Sequence, residues 1–286
     1  MHVAIFGGTG FVGTAVRREL CSRSLQFTTA SRSPRRRDNH VQVDVADRAA
    51  VKALVRQVDV VVNLVAASPL LPAGNNARYI HCHLRGAASV LEAVREYGSR
   101  LIHVGAMGVS ESSCAGYAWT KARAERLVRE SSADALVLSP GILFGDGSEL
   151  ISMLASLARL PVAPVPRIEN RFQPLFVDDL AALIADAIER VESVAPHGCR
   201  QVEVGGPDVM SGTAFAERYC RAGGTPTLFV PATAVTVAIR AASWLRLPFF
   251  PVDLPRMLAM ENSATGRHPL VKATTRYDDW LGNRRP

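Results

Sequence analysis

The chain has 286 residues, 48% of them hydrophobic, enough to bury a large core as one α/β domain or as a domain with an appended lobe. Its net charge of +7 is carried almost wholly by arginine, since Lys52, Lys121 and Lys272 are its only lysines. Apart from Arg32 and Arg35-Arg36-Arg37 the basic residues are scattered, with no basic stripe along a helix and no aromatic-basic interleaving, which argues against nucleic acid as a partner and leaves an anionic cofactor or an acidic membrane surface. The five cysteines (21, 82, 114, 199 and 220) include no C-x-x-C pair, so reduced thiols are expected in place of a disulfide frame or a zinc site. The first strand begins at residue 2 or 3, so no signal or transit peptide is expected. With no transmembrane run either, the expected placement is cytoplasmic, or peripheral on the inner membrane.

The elements begin with an apolar run, Val3 to Phe6, that breaks into glycines at 7, 8, 10 and 13 and passes into a helix over 11–22. Strand, Gly-rich turn and helix in that order form the dinucleotide fingerprint: glycine lets backbone N–H groups approach a pyrophosphate, and the helix N-terminus adds partial positive charge beneath it. A glycine turn in some other α/β unit is the bland alternative. A second strand, Gln26–Ala30, follows. No acidic residue lies between Glu19 and Asp38, so the carboxylate that would hold a ribose 2′-OH is missing. The strand ends in Ser31 and Arg32, a pair suited to a 2′-phosphate. This points to NADP(H) in preference to NAD(H), with a solvated basic loop as the competing reading for Arg35 to Arg37.

Strand Val41–Val43 ends at Asp44, where an adenine edge would lie, and Asp47 is placed to cap a helix over 47–56. The nearly continuous apolar run 58–64 reads as a strand covered on both faces. A helix over 76–97, a strand Leu101–Val104, a helix over 117–131, a strand Ala135–Leu138 and a helix over 149–159 continue the alternation. Such alternation means a doubly wound parallel sheet, a Rossmann arrangement, with ligands beyond the carboxyl ends of its strands. Pro161, Pro164, Pro166 and Pro174 mark an extended connection, and Asp178-Asp179 can cap a helix over 179–190. A strand is expected at Gln201–Val204, and 211–286 reads as helices with Pro-rich joints. The expected division is a core at 1–145 and a smaller, mostly helical substrate or partner lobe at 146–286, with the strand near 201–204 returning to the core sheet. Residues 232–250 are richly apolar with Arg240, Trp244 and Arg246. That stretch suits either a membrane interface or a helix closing the lobe.

Tyr117 and Lys121, spaced i, i+4, share one helix face. A nearby ammonium favours phenolate, and such a pair can pass a proton while hydride moves to or from a nicotinamide. A surface Tyr and Lys is the bland reading. The spacing of His81 and His83, i, i+2, argues against a metal site, and His103, inside a strand, reads as a satisfied core histidine.

Taken together, Gly7-Gly-Thr-Gly-Phe-Val-Gly13, the Tyr117/Lys121 pair, Arg171-Phe-Gln-Pro-Leu-Phe-Val-Asp-Asp-Leu180 and Val202-Glu-Val-Gly-Gly-Pro-Asp208 resemble the extended and atypical short-chain dehydrogenase/reductases, the NAD-dependent epimerase/dehydratase-like group. Within it the chain is similar to the branch holding the nucleotide-binding accessory subunit of respiratory complex I and its bacterial relatives. The resemblance covers most of residues 1–210. It implies cofactor binding by Gly7, Gly8, Thr9, Gly10, Phe11, Val12, Gly13, Ser31, Arg32, Asp44, Val45, Val65, Ala66 and Lys121. It implies Tyr117 as acid/base with Lys121 as its partner, no metal, and a respiratory complex or membrane surface as a partner. Arg171 matches family positions that meet an anionic group, though a surface ion pair fits equally.

Two departures stand against that pattern. Gly105 is expected at the position of the family's strand-end hydroxyl, with Ser110, Ser112 or Ser113 able to substitute only if the loop folds back. His83 stands where the family often has Asn. Losing an oriented donor can cost on the order of a hundredfold in rate. Three functions follow: a low-activity or accessory NADP(H)-binding protein in a respiratory or quinone-linked pathway; an active oxidoreductase or epimerase on a small or lipophilic substrate; or a dinucleotide-sensing regulator.

Overall fold

Hydrophobic runs of four to seven residues, separated by amphipathic helices, assemble into one sheet with both faces covered. The computed structural model describes residues 1–34, 39–70, 76–190, 198–237 and 254–284. Strand β1 (His2–Phe6) lies between β2 (Gln26–Ser31) and β4 (Val60–Asn63), with β3 (His40–Gln42) outside β2. Beyond β4 come β5 (Arg100–Val104), β6 (Ala135–Pro140), β11 (Cys199–Gly205) and β14 (Leu270–Lys272). All neighbouring pairs of this eight-stranded sheet are parallel. The chain leaves β1 toward β2 on one side and later returns to β4 on the other. The crevice beyond Phe6 and Asn63 is therefore the switch point where such sheets receive ligands.

The strands are buried on both sides. Val3, Ile5, Val60, Val62 and Ile102 meet α1 (Phe11–Ser22) and α7 (Val177–Glu189) on one face. Ala4, Phe6, Val61 and Leu101 meet α2 (Arg48–Val55), α4 (Gly86–Tyr97) and the end of α5 (Gly116–Arg129) on the other. Each fully buried Val, Ile or Leu contributes roughly 1.5–3 kcal/mol. Asp47 caps α2 as expected, accepting from the backbone N–H groups of Ala49 and Ala50.

The segment 76–97 is not one regular helix. A short α3 (Asn76–Tyr79) opens into a π-helical turn, Ile80–Arg85, before α4. The wider turn aims His81 and His83 at different neighbours, and such insertions recur at functional sites.

The C-terminal part carries strands as well as helices. In β8 (Ala163–Arg167), Pro164 and Pro166 alternate with buried Ala163 and Val165. Among the described residues the strand pairs only with β13 (Thr227–Pro231). A two-stranded ribbon tolerates prolines because their missing N–H groups lie on an unpaired edge. Phe144, Phe215, Tyr277 and Trp280 form the aromatic centre of this part. Asp178 and Asp179 lie inside the first turn of α7 instead of capping it. Asp179 holds the C-terminal chain, accepting from the Thr275 N–H and Oγ1, both at 2.9 Å. Arg35 to Arg37 lie outside the described residues, as does the apolar stretch from 238 to 250. Among the described residues no helix is long and apolar enough to cross a membrane.

Candidate functional site

The glycine turn is packed backbone on backbone. Gly7 has φ +81°, and a Cβ there would lie 3.1 Å from the Leu64 carbonyl carbon. A Cβ on Gly13 would lie 2.3 Å from the Gly7 carbonyl oxygen, so α1 can press against the turn only with glycine at this position. Gly10 caps α1 without a side-chain hydrogen bond, and the first turn holds no acidic residue. The N–H groups of a twelve-residue helix thus point into the crevice with their partial positive charge uncancelled, a cradle that fits a pyrophosphate.

One cleft of about 180 Å³ runs beside this turn. Gly7, Thr9, Ser31, Arg32, Asp44, Val45, Val65 and Ala66 line it together, with His81 and Cys82 from the π turn. His81 Nε2 lies 2.9 and 3.0 Å from the two Asp44 oxygens. Burial pushes the Asp44 carboxyl up, but the Ala46 N–H and His81 outweigh it, leaving a net downward shift that Arg32 reinforces. The turn carrying Arg32 is held from below: Gln42 Nε2 donates to the Arg32 carbonyl at 2.9 Å, and the His40 ring lies 3.1 Å from the Ser33 carbonyl oxygen.

A second cavity, about 410 Å³, opens on the other side of the turn. Phe11, Val12 and Ala66 reach it from the nucleotide side, and Tyr117 and Lys121 from α5. Lys121 is buried and its Nζ donates to the Val104 carbonyl at 2.8 Å. Burial pushes the ammonium below its ordinary value, against the pull of Glu125 one turn further on. Tyr117 does not follow the expected downward shift. Burial raises its phenol to about 12, with Glu125 adding to the rise.

Glu125 completes an i, i+4, i+8 stripe that sequence reasoning missed. Its Oε1 accepts from the Ala106 N–H at 2.7 Å, and its Oε2 from Gln201 Nε2 at 2.9 Å. Gln201 also donates to Ser139 Oγ at 3.1 Å and accepts from Arg129 at 3.0 Å. Burial raises the Glu125 carboxyl well above the usual range, while the Ala106 N–H and Lys121 oppose the rise. The only signal in the sequence was the spacing 117, 121, 125.

That carboxylate explains Gly105. A Cβ there would lie 1.9 Å from Glu125 Oε1, so residue 105 faces the body of α5 and a hydroxyl on it would meet Glu125. The identification of Gly105 with the hydroxyl position is corrected by this geometry. Ala106 follows it on the cavity wall and carries no hydroxyl either. The serines of the next loop do not fold back onto this wall: Ser110 and Ser112 bond each other at 2.8 Å, and Ser113 Oγ lies 3.8 Å from Met260 Sδ.

The model of the NAD-dependent epimerase/dehydratase family matches residues 3–205. The chain belongs to that family. It is 30% identical over 185 residues to a ceramide reductase of Caulobacter vibrioides, covering 63% of this chain and 58% of the relative. It is 25% identical over 231 residues to NADH dehydrogenase [ubiquinone] 1 alpha subcomplex subunit 9 of Arabidopsis thaliana, covering 74% of this chain and 56% of that protein. The chain thus spans a little over half the length of these relatives. Among solved structures, gox2253 aligns with a TM-score of 0.69 at 19% identity, over 94% of this chain and 93% of that one. The UDP-glucose 4-epimerase of Thermus thermophilus, solved with NAD, aligns at 0.64 and 19%, over 81% and 86%. At these identities the structures attest the fold.

The residues where the chain departs from the family pattern have defined work. His83 is buried, and its Nε2 accepts from the Ala67 N–H at 3.1 Å. Its Nδ1 therefore carries the proton and donates to Thr120 Oγ1 at 2.7 Å, and that hydroxyl donates on to the Gly116 carbonyl. Tyr79 stacks on the ring and Tyr117 meets its edge. His83 thus ties the π turn to the start of α5 and steadies the tyrosine from behind. Burial, then Lys121 and His103, keep it neutral. His103 is only half satisfied: Nδ1 lies 3.3 Å from Asn63 Nδ2 and Nε2 has no partner. Arg171 is exposed and 4.0 Å from Glu261, a surface ion pair away from the cavity walls. Among the described residues no group of three His, Cys, Asp or Glu could hold a metal ion.

Proposed function

We propose that the protein is an NADP(H)-dependent oxidoreductase of low turnover. The observation that carries this reading is the placement of Tyr117 and Lys121 on the wall of a cavity that adjoins the glycine turn, with Ala106, which carries no hydroxyl, following the strand end on the same wall. The turn and the N-terminus of α1 would hold the pyrophosphate. Ser31 and Arg32 would hold a 2′-phosphate, Asp44, Val45, Val65 and Ala66 would flank the adenosine, and Lys121 would serve the nicotinamide ribose. NADPH, when held there, would supply a hydride to a carbonyl carbon. The Tyr117 phenol gives its proton to the carbonyl oxygen, and the Lys121 ammonium stabilises the phenolate left behind. With the phenol resting near 12, this residue serves as the acid at neutral pH. The missing hydroxyl leaves the developing oxyanion with one donor fewer, which slows the step. A relative that bears the name ceramide reductase supports a reducing activity.

Titrating the protein with NADPH and NADH tests the cofactor. Wild type is expected to favour NADPH, and Arg32→Ala to lose about 10–100-fold in NADPH affinity with NADH unchanged, from a charge-assisted bond of about 1.5–3 kcal/mol. Equal affinity of wild type for both rejects the assignment. Tyr117→Phe is expected to abolish cofactor oxidation on any carbonyl that turns over; undiminished turnover rejects the acid. A second reading, an accessory subunit of a respiratory assembly, is favoured by the similarity to subunits of mitochondrial NADH dehydrogenase. Co-purification of the protein with a membrane respiratory complex tests it.

A further inference from the structure

We infer that the cavity beside Tyr117 receives a neutral carbonyl compound with an extended apolar body, and not an anionic substrate such as a nucleotide sugar. The inference rests on the oxidoreductase reading and names the substrate class of the same site.

The far wall of the cavity is built from the C-terminal segment. Leu254, Met257, Leu258 and Met260 line it together with Met107 and Phe172. This roof is tied down at Asn262. Its Oδ1 accepts from the Ile142 N–H at 2.5 Å, and its Nδ2 donates to the Met107 carbonyl at 2.9 Å. Its backbone N–H donates to the Arg171 carbonyl at 2.8 Å, and its carbonyl accepts from the Gln173 N–H at 2.8 Å. One side chain thus joins the end of β5 to the turn after β6, with the apolar segment spanning the gap. The roof is preformed, as ligand pockets usually are.

The charges within reach point the same way. Among the described lining residues, the charged groups are Lys121 and Glu149. The Lys121 ammonium is already donating to Val104 O, and Glu149 accepts from Ser68 Oγ. Among the described lining residues a diphosphate entering here would meet a carboxylate and no guanidinium, whereas anion sites place arginine in contact with the phosphate. Met257 and Met260 from the roof and Met107 from the strand-end side offer instead a soft, adaptable surface that moulds to apolar chains of varied shape. The neutral carbonyl needs only Tyr117, which lines the same cavity.

Isothermal titration of the 286-residue chain with 2-decanone, a decyl-substituted benzoquinone, 2-butanone and UDP-glucose, each with and without NADPH, tests the inference. At least one of the two long compounds is expected to bind ~100-fold or more tightly than butanone, as burial of added methylenes requires. UDP-glucose is expected not to bind measurably. Met257→Asp is expected to weaken the long compounds at least ~tenfold, by placing a carboxylate in the apolar wall. Met260→Gln serves as a milder second variant, and thermal melting checks that both are folded. Tighter binding of UDP-glucose than of the long compounds overturns the inference. So does chain-length-independent binding, or unchanged binding by both folded variants. If NADPH fails to bind while the chain-length dependence persists, the cofactor reading falls and the substrate class stands.

Discussion

The two cavities flanking the glycine turn differ in chemistry and in construction. The cleft toward Arg32 is the more polar of the two, and nearly all its walls come from the ends of β1, β2 and β4 and the turn after β3. The cavity toward Tyr117 is apolar and gathers segments from Phe11 to Asn262. A site made of strand ends can be read from short motifs, because each wall lies a few residues from a recognisable strand. A site made by long-range packing depends on contacts that no local pattern announces. The comparison teaches that the nucleotide end is prescribed locally, while the substrate end is prescribed by the whole fold.

The largest expected effect on binding strikes the glycine turn that the two cavities flank. In Gly13→Ala the new Cβ would sit 2.3 Å from the Gly7 carbonyl oxygen, against backbone that has no rotamer to yield. Overpacking of about 1–3 kcal/mol, spent on the turn itself, converts to a loss of up to ~100-fold in dinucleotide affinity. Calorimetric titration with NADPH reads it. Retained affinity would show that the turn does not set the cofactor's place, and the distinction between a local and a global site would lose its basis.

The same contrast decides what was legible. The doubly wound sheet, the glycine turn, the Asp47 cap and the strand-end position of Arg32 all follow from local rules that the fold leaves undisturbed. Glu125 was not legible. A glutamate on a helix reads as a solvated residue, and only the docking of α5 on β5 and β11 places it under Gly105 and against Gln201. The glycine at 105 therefore looked like a lost hydroxyl when it is clearance for a carboxylate. The roof residues 254–262 were invisible for a different reason: a short helix with proline and methionine carries no signature of what it covers. The strand at 163–167 was obscured by its prolines, which argue against a strand until its partner is seen to occupy one edge alone.

The apolar side should also be the acid-sensitive side. His103 is buried next to the strand end that carries Ala106, and burial, then Lys121, lower its pKa from 6.5 to about 3. The unfolded chain takes up that proton near pH 6.5, and the folded chain only near 3. The contribution to stability is therefore complete above 6.5 and is lost as pH falls through that window, to the extent of up to about 5 kcal/mol. His83, also held neutral, acts in the same direction. Denaturant midpoints between pH 7 and 4 should fall steeply in wild type and less in His103→Gln, whose amide does not titrate. Identical slopes would remove His103 from the account.

The smallest effect, a several-fold change in kcat, makes the sharpest distinction, because it turns on adjacent residues. Gly105→Ser forces a side chain onto Glu125, displacing the carboxylate from the Ala106 N–H and from Gln201, and should cost about 2–4 kcal/mol in stability through overpacking and a broken buried network. Ala106→Ser adds a hydroxyl on the wall that Tyr117 shares, with no such collision, and should leave the melting temperature within a few degrees of wild type. If the site is a reductase short of one donor, that hydroxyl supplies it, and kcat on a long-chain ketone should rise several-fold, up to about tenfold, with KM little changed. If the cavity binds without turning over, the same variant will be equally stable and no faster. Measuring kcat and melting temperature for both serines separates the two positions. Should Gly105→Ser prove the stable and faster one, then the strand end is built differently, and Glu125 is not what keeps that position empty.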